Sequence, residues 1–132
     1  MFNSIYSTGA IVTILFNGFK HFAIVSDRYF NGKPMLISLS NRTGTVCEEA
    51  WDKCTQGRKV ELAKDQGILP SWQVLIRAKS LLGKIGYRLW DQNCEHFARW
   101  THGLKVESKQ VQNYAVAGLA IGVIGLLMRA SK

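Results

Sequence analysis

Cys94 is the residue whose type and position most clearly predict chemistry. It stands in residues 93–102 (NCEHFARWTH), where Asn93 suits an N-cap and Gly103 a C-terminal stop, so the pattern predicts a helix with Cys94 in its first turn. Unpaired N–H groups and the macrodipole at a helix start stabilise a thiolate and an oxyanion. With a nearby histidine, such sites hold cysteine pKa values at about 3.5–7.5. The position predicts a nucleophile, and a buried structural cysteine is the alternative.

The three histidines differ in their suitability as a base for this thiol. His21 lies near the start of an apolar segment, where a packed side chain and a base are both open. His96 follows Cys94 by two positions, and at about 100° per residue it points away from the sulfur, so we expect it to brace the helix. His102 is assigned a structural or surface role near the helix end. A zinc site from Cys94, His96 and His102 would have poor facing geometry, and no metal is expected.

An antiparallel meander is predicted to carry His21. It begins with a buried apolar strand and continues through two Asn-Gly turns, which are strong hairpin signals. The segments in order are a strand at 9–16, a turn at 17–18, a strand at 20–26, a turn at 31–32 and a strand at 34–40.

The chain from residue 41 to residue 82 predicts fewer and shorter elements. Residues 48–53 suit a helical turn and residues 58–62 a short strand. A longer helix is predicted to open at Ser71 as its cap and to end at Gly83 or Gly86. Its apolar residues at helical spacing are Trp72, Leu75, Ile76, Ala78, Leu81 and Leu82.

Length, charge and cysteine usage bound the class of protein. The chain has 132 residues, which suits one compact domain, and a net charge of +8, which favours an anionic partner. Its basic residues are scattered without a recognised nucleic-acid module, so no nucleic-acid partner is expected. Three cysteines without a CxxC pair indicate a reducing, cytosolic setting, and Cys47 and Cys54 are interpreted as structural or incidental.

The C-terminal segment has a different character from the rest of the chain. Residues 115–128 carry no charge, and Arg129 and Lys132 follow them. This run is shorter than the roughly 20 residues that comfortably span a bilayer, and a buried core helix is the alternative. Its uniformly apolar composition fits a membrane anchor better. We therefore expect residues 111–132 to form a tail that meets the membrane through residues 111–128, with the protein single-pass or peripheral on the cytoplasmic face.

The string Asn93-Cys94-Glu95-His96-Phe97 resembles the Asn-Cys box of the lecithin:retinol acyltransferase-like family. That family includes the HRAS-like suppressor phospholipases and acyltransferases and belongs to the NlpC-type papain-like superfamily. Residues 20–25 (KHFAIV) are similar to the family's histidine strand. The resemblance implies an α+β, circularly permuted papain-like fold, with an antiparallel meander packed on helices and an apolar C-terminal helix. Residues 1–110 would form the catalytic domain.

The same resemblance implies a phospholipase A or acyltransferase that needs no cofactor. His21 would take the proton of Cys94, whose sulfur would attack a glycerophospholipid ester and form a thioester, with its own backbone N–H in the oxyanion hole. Water or an acyl acceptor would complete the reaction. Asn93, Glu95, His96 and Phe97 would support the motif.

Two departures from the family pattern keep other functions open. The family has a second histidine on the next strand, where Ser38 stands here, with Asn41 as another candidate. A hydroxyl holds an imidazole less firmly than a ring does. Phe19 replaces a tyrosine common in the family's mammalian enzymes. These departures keep open a non-catalytic membrane-interaction protein. The superfamily also contains thiol peptidases and amidases, which are the other alternative.

Overall fold

A five-stranded antiparallel sheet organises the part of the chain that the computed structural model describes, residues 6–40, 42–84 and 94–106. The strand order is β4-β3-β2-β1-β5. The elements in chain order are β1 Ile11–Phe16, β2 Phe19–Phe30, β3 Lys33–Leu39, β4 Val46–Glu49, α1 Trp51–Thr55, β5 Val60–Leu62, α2 Ser71–Ser80 and α3 Cys94–Thr101. This confirms the predicted α+β class with an antiparallel meander.

The two Asn-Gly turns connect the first three strands as predicted. Asn31 and Gly32 both have positive φ angles, 54° and 80°, which a two-residue hairpin of this hand requires. Pairing between β2 and β3 runs from Phe30↔Lys33 to Ile24↔Ile37, with an irregularity between Val25 and Tyr29. Beyond Ile24, toward His21, the two strands are no longer joined in this register.

Helices cover both faces of the sheet, which explains why its central strands are apolar on both sides. On one face, Ile24 and Ile37 pack with residues of α2 and α3, Cys94 among them. On the other face, Ala23 and Val25 pack with Trp51 and Cys54 of α1. Because side chains alternate along a strand, His21 lies on the same face as Ala23 and Val25.

Several local predictions differ from the structure at the ends of the elements. The strand β4 was not predicted. The helical turn predicted at 48–53 begins later, as α1, because Glu48 and Glu49 belong to β4 and pair with β3. β2 continues past residue 26 to Phe30. Pro70, rather than Ser71, occupies the cap position of α2, with no side-chain capping hydrogen bond, and the helix ends at Ser80 before either glycine.

Exposure also departs from the apolar pattern of α2. Trp72 and Ile76 have 63% and 61% of their surface accessible, whereas Val74, Leu75 and Ala78 are buried. The buried face of α2 is therefore narrower than the predicted apolar face, which included Trp72 and Ile76.

Part of the predicted organisation lies outside the described residues. This holds for Asn93, Asn41, the apolar C-terminal helix and the rest of the tail from residue 107. Among the described helices, none has the length and apolar character needed to cross a membrane.

Candidate active site

Cys94 is the first residue of α3, as the sequence predicted, and its sulfur rests against the backbone of β2. The Phe22 N–H donates a hydrogen bond to Sγ at 3.3 Å, and the Lys20 carbonyl oxygen lies 4.0 Å from the same atom. Ile24 pairs with β3. Because the backbone groups of residues two positions apart point to the same side of a strand, the Phe22 N–H also points to the β3 side of β2. The thiol of Cys94 thus takes a position that a strand partner would fill if the β2–β3 ladder continued.

His21 and Ser38 form a buried polar pair on the opposite face of the sheet. The His21 Nε2 atom lies 2.9 Å from the Ser38 Oγ atom, and the two residues are only 8% and 2% exposed. Ser38 stands on β3 opposite Cys47 of β4, so strand register holds the hydroxyl in place. The structure brings together the predicted base and its predicted orienting residue, while their catalytic roles stay predictions.

Cys94 and His21 approach the same short stretch of β2 from different sides. The sulfur contacts the backbone of Lys20 and Phe22, the two chain neighbours of His21. Among the described residues, the hydrogen bond of the His21 ring is to Ser38, and none joins the ring to the sulfur. A proton transfer between them would use Nδ1, since Nε2 is engaged by Ser38.

Burial makes Cys94 a protonated thiol at rest, contrary to the lowered pKa expected at a helix start. Desolvation raises the pKa of Cys94 above its ordinary value. The backbone N–H groups of Phe22, Cys94 and Glu95 oppose this shift without overcoming it. The free energy needed to desolvate the thiolate is larger than the stabilisation that the backbone dipoles of the helix start provide. Nucleophilic attack by this thiol would therefore need a base, because burial disfavours the thiolate.

His21 has the protonation state that such a base requires. Burial is the largest effect and lowers the pKa of His21 below 6.5; Glu49 opposes this shift and Arg42 adds to it. Glu49 and Arg42 are themselves joined by an ion pair. At neutral pH the imidazole is uncharged and able to accept a proton.

A cavity of about 250 Å³ opens beside the histidine–serine pair. Its lining includes Phe16, Phe19, His21, Ser38, Arg42 and Glu49. One end is aromatic and the other carries an ion pair, which suits a ligand that has an apolar part and a polar part. Sequence reasoning missed Glu49, because its strand was read as a helical turn, and it missed the Phe22 N–H, because a backbone donor leaves no sequence signal.

His102 has a structural role, which was one of the two roles, structural or surface, predicted for it. Its Nδ1 atom accepts the Gly67 N–H at 2.8 Å, and Nε2 lies 2.6 Å from the Gly9 carbonyl oxygen, so the neutral ring donates there. With both nitrogens engaged, the ring ties together three distant chain segments. In the described part of the chain, no group of three His, Cys, Asp or Glu side chains is arranged to hold a metal ion.

The remaining predicted motif residues also lie on α3. Phe97 is fully buried in the core between α3 and the sheet, and Glu95 and His96 are half-buried. Of the other two cysteines, Cys47 is half-buried and Cys54 is buried in the α1 core. Burial raises the pKa of Cys54 to about 12, which makes it an inert thiol.

Comparison with known families identifies this arrangement. The family model described as lecithin retinol acyltransferase matches residues 5–107, which include both His21 and Cys94. The chain belongs to this family. Membership in the lecithin retinol acyltransferase family supports an acyltransferase-like or phospholipase-like activity in general, on a lipid substrate. No curated protein matches the chain.

Proposed function

We propose that the protein is a thiol-dependent phospholipase A or acyltransferase that acts on glycerophospholipids, closest in type to the HRAS-like suppressor enzymes. The observation that carries the proposal is the position of the Cys94 sulfur. It lies at the start of a helix, 3.3 Å from the Phe22 N–H and beside the strand that bears a neutral, buried histidine. A thiol, a base and the unpaired N–H groups of a helix start are the components of acyl transfer through a thioester.

In the first half of the reaction, Sγ of Cys94 attacks the ester carbonyl while its proton passes to His21. The carbonyl oxygen becomes an oxyanion, which the backbone N–H of Cys94 stabilises. Collapse of this intermediate breaks the carbon–oxygen bond of the ester. The leaving lysophospholipid oxygen takes the proton back from His21, and the acyl group stays on sulfur as a thioester.

In the second half, water or an acceptor attacks the thioester. His21 removes the proton of the attacking group and later returns it to the sulfur. Water gives a fatty acid, whereas an amine or a lysophospholipid hydroxyl gives a transferred acyl chain. Ser38 acts as the positioning residue, because it holds Nε2 and thereby orients the ring in both steps.

The proposal assigns residues 1–110 to the catalytic domain and residues 111–132 to a membrane anchor on the cytoplasmic face. The tail has no charged residue from 115 to 128, and the basic residues Arg129 and Lys132 follow this segment. Basic residues next to an apolar segment favour the anionic cytoplasmic leaflet.

The test is mass spectrometry of the full chain after incubation with phosphatidylcholine vesicles. We expect one acyl mass on a peptide that contains Cys94, lost in Cys94→Ala and retained in the control Cys47→Ala. His21→Ala should slow acylation without removing the thiol. If both Cys94→Ala and His21→Ala keep full lipid activity, the proposal fails.

The alternatives give different results in the same preparations. Cleavage of a peptide bond with no lipid turnover would identify a thiol peptidase or amidase. A Cys94→Ala protein that keeps every membrane effect, while deletion of residues 111–132 abolishes them, would identify a non-catalytic membrane-interaction protein.

A further inference from the structure

The tip of the β1–β2 hairpin carries an unusual pair of aromatic rings. Phe16 and Phe19 flank the Asn17-Gly18 turn, and their rings stack with centroids 5.2 Å apart and an angle of 10° between planes. Phe19 is 49% exposed despite this contact. The tip therefore presents a preformed apolar surface to the outside of the protein.

Arg58 lies against this aromatic surface, and Lys20 adjoins it on the other face of β2. The Arg58 guanidinium lies over the Phe16 ring, 5.3 Å from its centroid, and Lys20 follows Phe19 in the exposed part of β2. Within the described residues neither cation forms an ion pair with a carboxylate. Both charges are thus available to an external anion.

The hairpin tip also adjoins the proposed active site. Phe16 and Phe19 line the cavity that reaches His21 and Ser38. On the other side of β2, the Lys20 carbonyl lies 4.0 Å from the Cys94 sulfur. The tip and the cavity beside His21 therefore share two aromatic side chains.

We propose that this hairpin tip, defined by Phe16, Phe19, Lys20 and Arg58, docks on an anionic phospholipid surface and admits the lipid to the His21 cavity. The proposal rests on the proposed function and extends it to how the substrate is engaged. Aromatic rings insert at the level of the acyl boundary, while Lys and Arg bind phosphate groups above them. This charge complementarity selects a membrane over a second copy of the chain, since two cationic tips repel each other.

The opposite end of β2 offers a matched control. Tyr29 and Phe30, next to the Asn31-Gly32 turn, are 57% and 55% exposed, slightly more than Phe19. They lie at the far end of a 12-residue strand, about 35 Å away in an extended chain. Any general attraction of aromatic residues to lipid would act on both tips, whereas docking through the β1–β2 tip would act on Phe19 alone.

The direct test places a fluorescent probe at each tip of the full chain, as Phe19→Trp and Phe30→Trp. Each variant is mixed with vesicles of phosphatidylcholine and phosphatidylserine whose acyl chains carry bromine, a short-range quencher. We expect the added emission of the Phe19→Trp protein, relative to wild type, to shift to shorter wavelength and to be quenched. The Phe30→Trp signal should stay unchanged. Equal quenching at both positions, or none at either, would overturn the proposal.

Kinetics provide a second arm. The ratio of the rate on vesicles to the rate on a dissolved short-chain phospholipid should fall about tenfold in Phe19→Ser, because roughly half of a phenylalanine side chain no longer leaves water. In Phe30→Ser the ratio should match wild type. The double variant Lys20→Gln, Arg58→Gln should lower the ratio at low salt and lose its effect at high salt.

These outcomes separate this proposal from the proposed function. Quenching at position 19 in a protein that turns over no lipid would leave docking standing and remove the enzyme. Lipid turnover with identical signals at positions 19 and 30 would leave the enzyme standing and remove docking through this tip. A shift of the Phe19→Trp emission that depends on protein concentration without vesicles would identify a second copy as the occupant, and would also overturn the proposal.

Discussion

The Ser38→Ala variant tests how the base is held. The hydroxyl of Ser38 lies 2.9 Å from Nε2 of His21 in a site where both residues are nearly fully buried. While His21 is neutral, such a bond contributes about 1 kcal/mol; once His21 is protonated in the transition state, it contributes about 1.5–3 kcal/mol. The difference, on the order of 1–2 kcal/mol, is transition-state stabilisation that alanine removes. It corresponds to a decrease in kcat of about 5- to 30-fold.

Steady-state kinetics on phosphatidylcholine, with kcat and KM separated, measure this effect. KM should change little, because Ser38 positions the ring and need not contact the acyl chain. Ser40→Ala is the matched control, since Ser40 lines the same cavity but its hydroxyl accepts the Arg42 N–H instead. A kcat for Ser38→Ala within twofold of wild type, or an equal decrease in Ser40→Ala, would refute the reasoning.

Three further predictions follow from burial and close contact. In the folded protein, iodoacetamide should modify Cys47 well before Cys54, whose pKa is raised to about 12, as peptide mass spectrometry will show; equal rates would contradict the burial of Cys54. Burial lowers the pKa of His102, so between that lowered value and pH 6.5 the unfolded state binds more protons than the folded state. The contribution of His102 to stability should therefore be fully present above pH 6.5 and decrease as the pH drops below it. Thermal melts of wild type and His102→Gln should differ in this pH dependence. Gly67→Ala should destabilise the fold by about 2 kcal/mol or more in urea titrations, because the added Cβ would lie 2.3 Å from the His102 carbonyl oxygen; an unchanged midpoint would show that this contact relaxes freely.

The pH dependence of activity is tied to the same physics. Because burial lowers the pKa of His21, the proposed base becomes protonated only at a pH below 6.5, so the acidic limb of the kcat/KM profile should lie below that value. An acidic limb with its midpoint above pH 6.5 would show that a group other than His21 controls the activity in this range.

Local sequence signals determined the elements that carry the chemistry. The two Asn-Gly turns predicted the hairpins, because each turn needs a positive φ angle that few residues adopt: Gly18 has it in the first turn, and both Asn31 and Gly32 have it in the second. Asn93 as a cap candidate and Gly103 as a stop predicted the helix that the structure shows from Cys94 to Thr101, with Gly103 at a positive φ angle just beyond it. Ser38 was assigned from the family resemblance, as the residue that stands where the family has its second histidine, and it lies within hydrogen-bond distance of His21.

Tertiary structure decided what those residues experience. Phe22 and Cys94 are 72 positions apart, and their contact exists only because the β2–β3 pairing ends where α3 packs. Every residue except proline carries a backbone N–H, so no sequence pattern predicts which of them will contact the sulfur. The sign of the Cys94 pKa shift was reversed for a related reason: a helix start favours the thiolate locally, whereas burial is the sum of every element packed around the sulfur, and desolvation by that whole environment is the larger effect.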